Sequence, residues 1–316
     1  MAKMLRPGLV GLALWALLTS CQQQSASPAP TAEGSTRPAT RPIDHAMGTT
    51  AVPTAPERVV VLDYAPLDSA LALEVEPIGR LEILPSEIYP AAVNNIPLVG
   101  SGVRPNLETI LQLQPDLILS NQVSSGRIYQ QLSQIAPTVL TSDNGRAGAW
   151  QSNLRLYAEA LGKSEQAEQL LADYQQRVGA VQAALLQDLE AIEVSVIAHW
   201  SGGIVAYSTD SFSGSVLKDL GLARNPAQGE GKRYGVQLSK EDLTQIDGDV
   251  IFFLHNSGSE ASGSKAAFIS DPLWSRLDAV QQGIVCEVSS AHWSGGRSIL
   301  AANQILTDVE ACLRAG

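Results

Sequence analysis

The chain has 316 residues, enough for two lobes once its N-terminus is set aside, and carries a formal charge of −11. An acidic balance of this size argues against nucleic acid, and against a polybasic face on a membrane. The three cysteines lie in no CxxC or Cys/His spacing, which leaves structural zinc without support.

Lys3 and Arg6 open the chain, Leu9 to Leu18 is an apolar run, and Leu18-Thr19-Ser20-Cys21 closes it. This order predicts a secretory signal over 1–20. The run of about ten residues is about half of what a bilayer-spanning helix needs. The closing tetrapeptide resembles a bacterial lipobox, with cleavage before Cys21 and a lipid on its thiol; a plain signal peptide with an incidental cysteine is the alternative. Lipidation there would tether the chain without crossing the membrane. Removal of 1–20 leaves 19 basic residues against 32 acidic, a formal charge of −13. Residues 21–43 are rich in Gln, Ser, Ala, Pro and Thr, which predicts a flexible tether.

Strand and helix patterns then alternate through 44–163. Arg58 to Asp63 is a β-branched run, Leu67 to Leu73 is helical, and Glu76 to Gly79 leads a short strand. Asn106 to Leu113 is helical with Asn106 as N-cap, Asp116 to Ser120 extended, Ile128 to Ile135 helical, and Thr138 to Thr141 extended. Such alternation predicts a parallel α/β lobe. From Trp150 to Leu189 there is no proline, and Gly162-Lys163-Ser164 divides two helical periods. The second, within 164–189 and N-capped by Ser164, is long enough to act as a strut between lobes. Over 190–316 alternation resumes: Glu193 to Ala198, Val250 to Leu254 and Gly283 to Val288 read as strands. Ser213 to Leu220, Lys240 to Ile246 and Ser298 to Leu313 read as helices. Cys286 falls in the last strand pattern and Cys312 in the last helix pattern, either paired or as two buried thiols.

The hexapeptide AHWSGG occurs at Ala198–Gly203 and again at Ala291–Gly296, each time after an apolar strand. His255 follows a third such strand, so His199, His255 and His292 have a route to one crevice beyond the strands' carboxyl ends. They could ligate a metal ion, cap strands, or join Trp200 and Trp293 in a stacking floor for a ligand. No carboxylate recurs within the repeated unit, which suits a bulky chelate better than a bare ion. Arg104 lies in the Gly100–Asn106 loop, which lacks the third glycine and GKS/T ending of a nucleotide loop. Arg104, Arg297 and the loop around Tyr234 offer donors to an anionic ligand. No GxSxG or HExxH is present, so an α/β hydrolase remains only the alternative from a different class.

Several segments share a resemblance. His45-Ala46-Met47-Gly48 and Pro56 to Leu62 resemble the opening of mature ferric-siderophore-binding proteins of ABC importers. Pro105-Asn106-Leu107-Glu108 with Leu113 to Ile118 looks like their most recognisable segment, and Ser213 to Leu222, Gln237 to Leu243 and Trp293 to Asn303 also fit. Haem- and cobalamin-binding relatives share the architecture. The resemblance implies two Rossmann-like α/β lobes with parallel sheets, one long joining helix, and a ligand cleft between the lobes. It implies a binding protein, not an enzyme, for a ferric siderophore of hydroxamate or citrate type. The iron arrives wrapped, with no cofactor and no metal site of the protein's own. It assigns ligand contacts to Tyr64, Arg104, Trp200, Tyr234, His292, Trp293 and Arg297, and permease docking to Glu108 and Glu241. The chain departs at Glu74, where relatives usually carry glycine.

Overall fold

Chain segments that read as unbroken apolar runs form the inner strands of two separate sheets, one in each half of the sequence. In the computed structural model the described residues are 39–83, 86–101, 104–185, 189–200, 203–231, 234–255 and 265–315. The expected signal sequence and Cys21 lie outside them. Among these residues no helix is long and apolar enough to cross a membrane.

The first sheet joins β3 (Val59–Val61), β4 (Gly79–Arg80), β7 (Leu117–Asn121) and β8 (Thr138–Thr141) in the order β4-β3-β7-β8, every pair parallel. Each residue of these strands is buried, as expected for a parallel sheet covered on both faces. Helix α1 (Tyr64–Ala72) starts directly after β3, with Asp63 as N-cap. Helix α2 (Leu107–Gln112) starts where Asn106 Oδ1 accepts from the Glu108 and Thr109 N–H groups, at 3.0 and 3.1 Å. The turn after α1 holds Glu74 at φ 58°, left-handed backbone that favours the glycine of the family pattern.

The tether expected to reach Ile43 ends earlier. Thr40–His45 is strand β1, paired antiparallel with β2 (Gly48–Pro53). Ile43 and Val52 have no exposed surface, so pairing and burial together order a segment whose composition alone reads as mobile.

Helices α5 (Trp150–Leu161) and α6 (Ser164–Leu185) meet at Gly162, φ 72°, where a Cβ would lie 2.8 Å from the Thr54 carbonyl oxygen. Ser164 is the first residue of α6 rather than its cap, since the Ala167 N–H already donates to the Lys163 carbonyl at 3.0 Å. At 22 residues α6 is about 33 Å long.

The second sheet has the order β12-β10-β9-β13-β14, from β9 (Glu193–Trp200), β10 (Gly203–Tyr207), β12 (Gly235–Leu238), β13 (Val250–His255) and β14 (Val285–Ser289); β11 (Ala223–Arg224) also pairs with β9. β9, β11, β13 and β14 run parallel, as expected, but β10 is reversed and pairs antiparallel with both β9 and β12. Strand β10 follows β9 after a short reversal, a connection that only an antiparallel pair permits.

The last helix, α9 (Ile299–Ala315), returns to the first half; the shorter α7 (Phe212–Asp219) and α8 (Asp278–Gln282) precede it. Cys286 of β14 and Cys312 of α9 form a disulfide, which settles the open choice for these two residues. At the start of α9, Ser298 Oγ meets Ser69 Oγ at 2.8 Å, and Asp68 accepts from the Leu300 and Ala301 N–H groups at 3.0 and 3.1 Å. Burial raises the Asp68 carboxyl to about 7, against the pull of those two N–H groups and of the Tyr89 hydroxyl.

Candidate functional site

The sheets place their variable loops beyond the carboxyl ends of the parallel strands, where open α/β sheets bind ligands. One hollow of about 500 Å³ lies there in the first half. Its walls come from the turn after β3 (Leu62, Asp63, Tyr64), the stretch after β4 (Leu81, Glu82, Ile83), the segment after β7 (Val123, Ser124, Arg127) and the loop after β8 (Asn144, Arg146). Arg297, from the segment before α9, completes it.

Its floor is fixed by Asp63. This carboxylate caps α1 through the Tyr64 N–H at 2.6 Å and accepts from Asn121 Nδ2 and Ser124 Oγ, both at 2.7 Å. It also pairs with the Arg297 guanidinium, both side chains being nearly fully buried. Arg297 donates further to the Gly295 carbonyl at 2.8 Å and the Asn144 carbonyl at 2.7 Å, and lies 5.6 Å from the Tyr64 ring centre. Its backbone is left-handed, φ 59°. The arginine thus joins loops more than 150 residues apart in sequence.

A second hollow of about 240 Å³ opens in the other half, lined by Tyr207, Ser211, Phe212, Tyr234, Gln237 and Ser294, among others. Arg146 lines both hollows. Its carbonyl accepts from the Phe212 N–H at 2.9 Å, and its guanidinium lies 5.8 Å from the Tyr234 ring centre. Burial pushes the Tyr207 phenol up, keeping it a protonated donor at neutral pH. Arg127 and Arg146 are exposed, and among the described residues neither guanidinium makes an ion pair. Two uncommitted cations beside tyrosines, serine and asparagine form a surface that favours an anionic, oxygen-rich ligand.

The family model described as periplasmic binding protein matches residues 59–291, which supply most of the lining of both hollows. The chain belongs to this family. A curated relative, the probable siderophore-binding lipoprotein YfiY of Bacillus subtilis, is 36% identical over 285 residues, covering 86% of this chain and 87% of YfiY. The Fe(3+)-citrate-binding protein YfmC of the same organism is 28% identical over 266 residues, 83% of this chain and 82% of its own. Among solved structures, Staphylococcus aureus SirA complexed with staphyloferrin B superposes with a TM-score of 0.77 at 29% identity, covering 87% of this chain and 99% of SirA. FeuA of Bacillus subtilis, complexed with ferri-bacillibactin, has a TM-score of 0.74 at 22% identity over 87% of this chain and 99% of its own, a likeness of fold.

Within this periplasmic binding protein, the residues expected at the ligand divide into three groups. Tyr64 and Tyr234 line the hollows, Tyr234 at 43% exposure. Arg297 lines one too, but its guanidinium is committed to Asp63 and two carbonyls, so it builds the floor. Trp293 backs the second hollow with no exposed surface: it stacks on Phe252 with ring centres 4.6 Å apart and donates to Asp308 Oδ2 at 2.7 Å. The stacking floor expected from Trp293 is therefore core packing. His292 lines neither hollow. Its Nε2 meets Ser86 Oγ of the first half at 2.9 Å; burial lowers its pKa, helped by His255 and opposed by Asp308 and Glu87. Arg104 is exposed on the short strand β6 (Arg104–Pro105), paired with β5 (Gly100–Ser101), and lines neither hollow. Trp200 ends β9, and its side chain lies outside those described.

The three histidines do not converge on one metal. His199 stacks on Phe268 at 4.6 Å, and among the described residues no group of three or more His, Cys, Asp or Glu is placed to hold an ion. Sequence reasoning missed Arg127 and Arg146. Both follow strands of the first sheet, so applying the carboxyl-end rule to every strand, rather than to the repeated hexapeptide alone, would have found them.

Proposed function

We propose that this chain is an extracytoplasmic lipoprotein, tethered through Cys21, that captures a ferric siderophore and delivers it to the permease dimer of an ABC importer. The observation that carries this reading is the pair Arg127 and Arg146, without an ion-pair partner among the described residues, facing a hollow of about 500 Å³ in a strongly acidic protein. An anionic ferric chelate would be held there by charge-assisted hydrogen bonds from these arginines and by Tyr64 and Asn144. The names of YfiY, YfmC and SirA's bound ligand support the ligand class. In this reading the two sheets belong to two lobes, 44–163 and 190–316, with α6 between them.

Glu108 and Glu241 are exposed in the first turns of helical segments, one in each half, a placement that suits docking against cationic pockets of the permease. Titration of the mature chain with ferric siderophores, their iron-free forms, haemin and cobalamin tests the ligand. Saturable binding of a ferric siderophore is expected, with Arg146→Gln weakening it at least about tenfold, the loss of roughly one charge-assisted bond. Binding of haemin or cobalamin alone, or an unaffected Arg146→Gln, would overturn it. For docking, Glu108→Ala with Glu241→Ala should preserve binding and abolish uptake by cells; normal uptake would refute the assignment.

A further inference from the structure

The first hollow contains more negative charge than an anion site needs. Arg127, Arg146 and Arg297 line it, but so do Asp63 and Glu82. Asp63 has a structural task, since it caps α1 and holds Arg297. Glu82 acts electrostatically on the buried Arg80 behind it, raising a pKa that burial lowers, but its side chain is exposed, and among the described residues its carboxylate makes no hydrogen bond or ion pair. Its backbone alone is engaged, the N–H donating to the Gly100 carbonyl at 3.3 Å. The nearby Arg80 is buried behind the wall, with its guanidinium donating to the Val93 and Leu81 carbonyls at 2.9 and 3.0 Å. It does not line the hollow.

The charges therefore balance in a particular way. Arg297 and Asp63 neutralise each other, and Glu82 offsets one of the two remaining arginines. A single net positive charge faces the ligand. We propose that Glu82 is a specificity-determining residue that tempers the attraction of the site for multiply anionic chelates, narrowing their electrostatic advantage over ferric complexes with little net negative charge. This rests on the reading that the ferric chelate occupies this hollow. A hollow of this volume is about 10 Å across if taken as a sphere, comparable with the screening length of about 8 Å at physiological ionic strength. Every charge on its wall thus acts on the whole chelate. A ferric trihydroxamate has an uncharged iron core, a citrate-type chelate is intermediate, and a ferric tris-catecholate retains three negative charges.

The test titrates the full mature chain and its Glu82→Gln variant with these three chelates by calorimetry, at low and high salt, beside Arg146→Gln. Glu82→Gln should shift the tris-catecholate to trihydroxamate affinity ratio by roughly fivefold towards the catecholate, the effect of one water-screened charge on the added ligand charges. That shift should shrink at high salt, with the melting temperature unchanged. An unchanged ratio in Glu82→Gln while Arg146→Gln loses affinity would overturn the charge limit and leave the binding site standing. Failure of every chelate to bind, or an Arg146→Gln variant with unaltered affinities, would overturn the site and this inference with it.

Discussion

At Ala198–Gly203 the hexapeptide AHWSGG ends strand β9 and opens β10, whereas at Ala291–Gly296 the same six residues wind into a single π-helical turn. His199 of the first copy stacks on Phe268 within its own half. His292 of the second copy reaches Ser86 in the other half. The final glycines serve different ends. Gly203 holds a backbone at φ 130°, while a Cβ on Gly296 would lie 2.3 Å from the Ala301 Cβ and 3.2 Å from Asp68. Identical residues meet different constraints: the first copy turns between two neighbouring strands, and the second is packed where the halves meet. A repeated motif therefore need not mark a repeated function.

Side-chain truncation should break the symmetry most strongly. Trp293→Ala removes a fully buried ring and should cost about 3–5 kcal/mol in urea unfolding. His199→Ala removes one half-buried stacking partner and should cost about 1 kcal/mol. Equal losses would mean that the two copies are equivalent after all. Next in size, replacing Cys286 and Cys312 by serine opens a covalent loop that encloses the second copy and excludes the first. A loss of about 3 kcal/mol is expected, with hydrogen exchange accelerated at 291–296 and little changed in β9 and β10. Uniform acceleration would show that the disulfide supports the whole fold.

A further signal is a slope against pH. The Asp68 carboxyl beside Gly296 is raised to about 7 in the folded chain, from about 3.8 when unfolded, chiefly by burial. Between those values the folded state holds the extra proton, so this group's contribution lowers stability as pH rises, levelling off above about 7. Asp68→Asn should remove that slope, at most about 1.4 kcal/mol per pH unit. Identical slopes in both proteins would show that Asp68 does not titrate in this window.

Much of the fold was legible because local pattern and burial agreed. The run Thr138 to Thr141 is strand β8 at the expected bounds, and Gly162 divides α5 from α6 where the helical period breaks. Illegible were the hairpin β1–β2 and the reversal of β10. Composition around Thr40 resembles a linker, and nothing local tells the strand after AHWSGG to turn back. The site was read less well than the fold. Tyr64 and Tyr234 line hollows, Trp293 backs one with its ring buried, His292 bonds to Ser86 outside both, and the exposed Arg127 and Arg146 carried no motif.

What the sequence determined by itself is the alternation of strands and helices, the long α6, the acidic charge and the family, since all of these rest on neighbours in the chain or on sums over it. The tertiary structure decided which cations remain free. Arg297 is tied to Asp63, 234 positions away, while Arg127 and Arg146 face the hollow with no ion-pair partner among the described residues. A side chain's freedom to bind depends on what the fold brings within hydrogen-bond reach, and that distance is not written in the order of residues.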